Sequence, residues 1–310
     1  MLTNGEKYFV RTLFKNKIFQ YRGQAFEDFF VLVMTKANAD FQPVRAHGSI
    51  GDKKNDGFVS ETGTYYQVYA PGEIRKEKTV NDAVHKLETD FMGLYKEWND
   101  ICEIKQYNFV INDKYEGLPT PIHEKILELK SNPLYANIDI RTFTAKDLER
   151  VFGSLNEMDM QDVVGFIPEV SIGIIEYDAL NEVVNYLMNA ELPETSGDKL
   201  VVPDFTEKII FNNLNKEIEN RLITGSYQEG FLSNYFNENP GLKEILQKKF
   251  NALYGQACDI IEDVQENAAD CRCVYILENA APKRTNSIFG AIWVLMAYYF
   301  STCDIFEEPK

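Results

Sequence analysis

The sequence predicts an α/β domain, a mixed sheet flanked by helices, over residues 1–160, and an all-α domain over residues 161–310. Three observations predict it. Short strand-like apolar segments alternate with helical ones in the first half. From Phe205 onward only helical periodicity recurs. The 310 residues are enough for two cores of ordinary size.

From Leu2 to Gln20 apolar residues recur at helical spacing (Tyr8, Phe9, Leu13, Phe14, Ile18), and Gly23 ends the pattern. A second helix is expected over Gln24–Ala37, apolar at Phe26, Phe29 and Phe30 yet carrying Glu27 and Asp28. Strands are expected over Phe41–Ala46, Gly57–Ser60 and Thr64–Ala70. The last two are joined by Glu61, Thr62 and Gly63 as a tight hairpin, and Pro71 ends the run. Residues 77–98 repeat apolar positions at Val80, Val84, Leu87, Phe91, Leu94 and Trp98, the stripe of a long amphipathic helix.

Tyr107–Asn112 is expected as a buried strand, 121–130 as a helix, Asn137–Phe143 as a strand and Ala145–Leu155 as a helix. After Pro168 a short apolar segment, Val170–Ile175, leads to a helix ending near Ala190. The polar stretch 191–204 has the composition of a linker. Helices are then expected over 205–222, 228–237, 241–265 and 286–302.

A hydrophobic share of 45% with 11 prolines and 18 glycines excludes a disordered or collagen-like chain. The longest apolar run, Ile288 to Phe300, falls short of the roughly 20 residues of a membrane span, so it is expected as a buried helix and no membrane association is expected. The first residues mix charge with apolar side chains and contain no stretch of signal-peptide character, so a cytoplasmic protein is expected. The five cysteines are odd in number and scattered, as reduced thiols are. Cys271 and Cys273 stand one residue closer than a CxxC pair, and the three histidines lie in the other half of the chain, which argues against a structural zinc.

The chain carries 48 acidic and 32 basic side chains, a net charge of −16. Residues 1–150 hold 22 and 21 of these, and residues 151–310 hold 26 and 11. A C-terminal half that acidic repels phosphate backbones, so any nucleic-acid contact belongs to the N-terminal half. Basic clusters occur there at Lys7, Arg11, Lys15, Lys17 and Arg22, at Lys53 and Lys54, and at Arg75, Lys76 and Lys78. Their alternative reading is solvated helix faces.

The segment GSIGDKKNDGFVSETGTYYQVYAP holds the candidate chemistry. Asp56 precedes one strand and Gln67 lies midway along its hairpin partner, so the two side chains can face one point. Two oxygens there, with the Val68 carbonyl, suit a hard cation such as Mg²⁺ or Mn²⁺, and Glu27 on the preceding helix is a third oxygen if it faces inward. A metal so held activates water and stabilises a phosphodiester in transit. The plainer readings stand beside this one. Asn-Asp-Gly is ordinary turn chemistry, Gln67 can pair its amide within a sheet, and Tyr65, Tyr66 and Tyr69 either stack bases or pack. His47 is a weaker candidate for phosphate or metal.

Gly51-Asp52…Asp56 followed by Gln67-Val68-Tyr69 resembles the Gly-Asp-x-x-x-Asp and Gln-x-Lys pattern of Mrr-like restriction endonucleases, within the PD-(D/E)xK nucleases. The resemblance implies a restriction-endonuclease-like fold, metal at Asp56, Gln67 and Glu27, and cleavage of DNA. Tyr69 replaces the lysine that polarises the attacking water in that family. Lys53, Lys54 or Lys36 is then expected to supply the charge, and Lys53, Lys54, Tyr69, Arg75 and Lys76 are expected to meet DNA.

A wider resemblance rests on GDKKNDG…TYYQVYAP, FVINDKY and YYFSTCDIFEEP. These phrases are similar to effectors of bacterial ABC-three-component systems, anti-phage and anti-plasmid defence operons related to Lamassu. It implies a nuclease-type N-terminal domain and a helical C-terminal domain docking to an SMC-like or other ABC ATPase and a small middle component, with self-association allowed. The alternative is a degenerate nuclease fold that binds DNA or partners without cleaving. No GxxxxGK[ST] loop is present, so ATP chemistry belongs to a partner. Tyr298, Tyr299, Phe300 and Phe306 are expected as aromatic anchors of the docking surface.

Overall fold

A computed structural model describes residues 2–45, 53–165, 167, 175–193, 205–302 and 305–308. His47, Gly51, Asp52, most of the 170–175 segment, most of the 191–204 stretch and Cys303 lie outside the described residues. The chain divides into two compact units, Lys17–Val163 and a second joining Met1–Asn16 to Val164–Lys310. The sequence placed the leading residues with the sheet; they group instead with the helical unit. Side chains explain the difference: the Tyr8 hydroxyl donates to the buried Asp270 carboxylate, and Asn16 Nδ2 donates to the Cys271 carbonyl at 3.0 Å.

In the sheet unit the end of α1 (Asn4–Gln20) is followed by α2 (Gln24–Ala37), β1 (Gln42–Pro43), β2 (Gly57–Val59), β3 (Thr64–Tyr69), α3 (Glu77–Trp98), β4 (Gln106–Ile111), α4 (Thr120–Ser131), β5 (Asp139–Phe143), α5 (Ala145–Gly153) and α6 (Glu157–Val164). The strands lie in chain order: β1, β2 and β3 are antiparallel, while β3, β4 and β5 are parallel, with α3 and α4 as crossovers. This is the expected mixed sheet with flanking helices. Of the strand expected at 41–46, Gln42–Pro43 pairs with β2 and Val44 N donates to the Asp56 carbonyl at 3.1 Å, while Ala46 lies outside the described residues. Gly63 turns the β2–β3 hairpin at φ +64°, a conformation costly for any side chain.

The pleat of β3 sorts its side chains. Tyr65 joins Tyr107, Phe109, Leu87, Phe91 and Leu94 in the core under α3 and α4. Tyr66, on the other face, meets Phe30 of α2 and Phe143, with ring centroids 5.6 and 6.0 Å away. The strand ends matter as much. Asn112 Nδ2, just past β4, donates to the carbonyls of Ile18 and Tyr21, and the Asp113 carboxylate accepts from Ala145 N (3.0 Å), capping α5, and from Gly117 N (3.1 Å). Burial raises the Asp113 pKa, opposed by these N–H bonds. Asp113→Ala orphans both donors and is expected to cost about 1–3 kcal/mol in denaturant unfolding; an unchanged midpoint would refute the capping role.

In the helical unit, α7 (Tyr177–Asn189), α8 (Phe205–Phe211), α9 (Lys216–Ser226), α10 (Glu229–Glu238), α11 (Leu242–Ile260), α12 (Ala268–Asn279) and α13 (Asn286–Ser301) follow one another. The helix expected over 205–222 is two, broken where Asn213 sits at φ +53° and Asn215 caps α9 by accepting from Glu217 N at 3.0 Å. Three of the four expected aromatic anchors are corrected as well: Tyr299, Phe300 and Phe306 are buried, with Tyr299 stacked on Phe250 and Phe300 against Phe306, while Tyr298 stays partly exposed. The three buried rings are core, not docking surface. No helix among the described residues is long and apolar enough to cross a membrane.

Candidate functional site

The Asn-Asp-Gly turn divides its labour. Asn55 is the turn-former, its Oδ1 accepting from Gly57 N at 3.1 Å, and Gly57 lets the Phe41 ring approach to where a Cβ would stand 2.3 Å from it. Asp56 is thereby released from turn duty. Its backbone N–H donates to the Tyr66 carbonyl, and its carboxylate Oδ2 accepts from Gln67 Nε2 at 2.8 Å and from Val68 N at 2.6 Å. Both side chains are almost fully buried, Asp56 at 3% and Gln67 at 4% exposure.

The hairpin therefore brings Asp56 and Gln67 together. Gln67 Oε1 is buried and, among the described residues, has no hydrogen-bond partner. Leaving such a group unmet costs about 1–3 kcal/mol, and native structures carry few of them. Asn55 Nδ2 and the Tyr107 hydroxyl are orphaned in the same way. Tyr107 packs on Phe91 of α3 at 5.1 Å, and its pKa is raised well above the ordinary phenol value by burial, then by the negative charges of Asp90 and Asp56.

The other expected residues take these places. Glu27 stands in the first turn of α2, partly buried, and accepts from Gln24 Nε2 at 3.0 Å. Lys53 pairs with Glu97 at 3.1 Å, and Lys54 with Asp90 at 2.9 Å. Lys36 pairs with Asp159 and Asp162, Arg75 with Glu116, and Lys76 with Glu73. Tyr69 stacks on Phe109 at 6.0 Å, and burial, then the Asp82 charge, raises its pKa, so it is a neutral phenol. Tyr65 lies in the core rather than on an open wall.

Asp90 was not among the expected residues. It is 1% exposed on α3 and is held by Lys54 and Lys86. The signal was present: Asp90 stands three residues after Leu87 and four before Leu94, inside the apolar stripe of α3, where an acid is buried and must be paired.

Hard oxygens from a carboxylate and an amide fit Mg²⁺ or Mn²⁺. Among the described residues no group of three or more His, Cys, Asp and Glu side chains could hold a metal ion. Mg²⁺ keeps several of its waters and is commonly held by one or two protein carboxylates, so a sparse donor set is compatible with it.

Residues 178–307 match the family model of C-terminal domain 10 of the ABC-three component systems, from the start of α7 to beyond α13. A component domain of these systems supports a role in defence, and the match does not extend into the sheet unit. Comparison with curated proteins gives no match, and neither does comparison with solved structures.

Proposed function

We propose that this chain is the effector of an ABC-three-component defence system and that its sheet unit is a restriction-endonuclease-like, metal-dependent DNA endonuclease. The observation that carries this reading is the buried Gln67 amide beside the Asp56 carboxylate, whose Oε1 has no hydrogen-bond partner among the described residues. A sheet contact alone does not call for that arrangement, whereas a cation site does. Asp56 and Gln67 would hold Mg²⁺ or Mn²⁺, with Glu27 as an assisting oxygen from α2. When bound, the ion supplies a polarised water and charge stabilisation at phosphorus. The Val68 N–H and Gln67 Nε2 bonds orient the carboxylate, and its burial limits competing water.

Lys53, Lys54, Arg75 and Lys76 are the cations proposed to meet the phosphate backbone, with Tyr69 along the same strand. The Lys53–Glu97 and Lys76–Glu73 pairs are solvent-exposed on both sides, and such pairs are worth about 0–1 kcal/mol, little enough for a phosphate to replace the partner. An SMC-like or ABC ATPase and a small middle component would dock to the helical unit and restrain the activity.

One observation favours a second reading, a module that binds without cutting: Tyr69, standing where the resembled family has its lysine, is stacked on Phe109 and carries no positive charge. Cleavage of supercoiled plasmid with Mg²⁺ or Mn²⁺ separates the two, with wild type and Asp56→Asn compared alone and alongside the products of neighbouring genes. Cutting lost in the variant supports the nuclease. DNA bound but never cut supports the second reading. Glu27→Gln, expected to slow cutting less than Asp56→Asn does, tests the assisting oxygen separately.

A further inference from the structure

We infer that the cavity between α8, α9, α10 and α13 receives an arginine side chain from a companion protein. This rests on the reading that companions dock to the helical unit, and it names what that surface takes. The cavity measures about 360 Å³, at the small end of the roughly 300–1,000 Å³ of ligand pockets and enough for one long side chain. Val294, Ala297, Tyr298 and Ser301 recur at i, i+3, i+4 and i+7 as one stripe of α13, and Ile223 and Ser226 stand a turn apart on α9. Val294 and Ala297 are buried while Thr206 and Glu229 are exposed, which gives the cavity an apolar floor and a polar mouth.

The polar lining is made of acceptors. Ser226 Oγ donates its one proton to the Ile223 carbonyl and Ser301 Oγ donates to the Tyr298 carbonyl, each at 2.7 Å, so both hydroxyls have only lone pairs left to offer. Among the described lining residues Glu229 alone is charged, and it makes no ion pair with a described residue. Three acceptors with one negative charge call for a cation that donates. The rings of Phe205 and Tyr298 suit the flat, weakly hydrated guanidinium of arginine better than the compact ammonium of lysine. Tyr298 already draws one cation, Lys243 Nζ of α11, 5.3 Å from its centroid. Charge at longer range agrees: residues 151–310 hold 26 acidic and 11 basic side chains, so a basic segment of a partner is steered toward this unit.

Two measurements on the full chain test this. Isothermal titration compares the peptide acetyl-Leu-Arg-Leu-amide with its citrulline analogue, which keeps the shape of the side chain and loses the charge. The arginine peptide is expected to bind at least about tenfold more tightly, and Glu229→Gln, at an exposed position that leaves the fold intact, to erase the difference. Equal affinities, or no binding of either peptide, would overturn the inference. Co-expression with the products of neighbouring genes then identifies the source of the arginine. Glu229→Gln is expected to weaken the complex with a companion at least about tenfold, and Glu229→Arg to abolish it. Companions held equally by all three chains would overturn the inference and leave the docking reading standing; an arginine-peptide preference beside that result would assign the cavity to a free cationic ligand. Self-association of the wild type that Glu229→Arg abolishes, with companions still held, would overturn it in favour of a second copy of this chain. A wild type that holds no companion would overturn the docking reading and this inference together.

Discussion

Asp56→Asn is expected to fold as wild type does and to lower metal-dependent cleavage at least about a hundredfold, since even an outer-shell partner of a metal ligand is worth 10–100-fold. The choice of asparagine follows from the bonding. One oxygen, Oδ2, accepts both Gln67 Nε2 and Val68 N, so an amide oxygen in that place keeps both bonds while the negative charge disappears. Alanine would instead strand two buried donors at about 1–3 kcal/mol each and confound lost chemistry with lost stability. Parallel unfolding curves and a Mn²⁺ titration check the expectation. An asparagine variant that cuts at the wild-type rate would remove Asp56 from the chemistry.

In the helical unit the largest effect is expected at Gly225. A Cβ there would stand 2.8 Å from the Trp293 carbonyl oxygen and 3.1 Å from Ala297 Cβ, and the first of these is backbone that cannot swing aside. The α9 and α13 axes would have to part. Trp293 is 1% exposed and Ala297 fully buried, so separation opens a close-packed core. Gly225→Ala regains about 0.5–1 kcal/mol of helix propensity against overpacking of about 1–3 kcal/mol, which blurs its sign. Gly225→Val gains less propensity and adds two methyls, and is expected to lower stability by about 2–4 kcal/mol in calorimetry or denaturant titration. Wild-type stability in the valine variant would mean that the helices part without cost.

The order of elements in the sheet unit was legible because each one buries a single face and so writes its period into the chain. The α3 stripe and the β2–β3 hairpin are examples, and the hairpin arithmetic was enough to pair Asp56 with Gln67. Elements without an exposed face left no such mark. Helix α12 went unseen because Cys271, Arg272, Cys273, Val274, Ile276 and Leu277 are all buried, leaving no polar side to set a period. The aromatic end of α13 misled for the opposite reason, since Tyr299 and Phe300 near an acidic terminus have the same composition whether they face a partner or their own core. Asp90 shows a third limit. A charged residue inside an apolar stripe announces burial, but its partners come from Lys54, far off in sequence, and from Lys86 on its own helix.

The pairing of the surface cations changes how salt should act on any polyanion they meet. Lys53, Lys54, Arg75 and Lys76 each already face a carboxylate of the same chain. A phosphate arriving there displaces Glu97, Glu116 or Glu73, or shares Lys54 with the buried Asp90, and each freed carboxylate takes up a dissolved cation that offsets one released from the DNA. The logarithm of a DNA affinity should then fall with the logarithm of salt concentration less steeply than four phosphate contacts imply, below a slope of about −0.9 per contact. Glu97→Gln, freeing one lysine for the solvent, should steepen that slope.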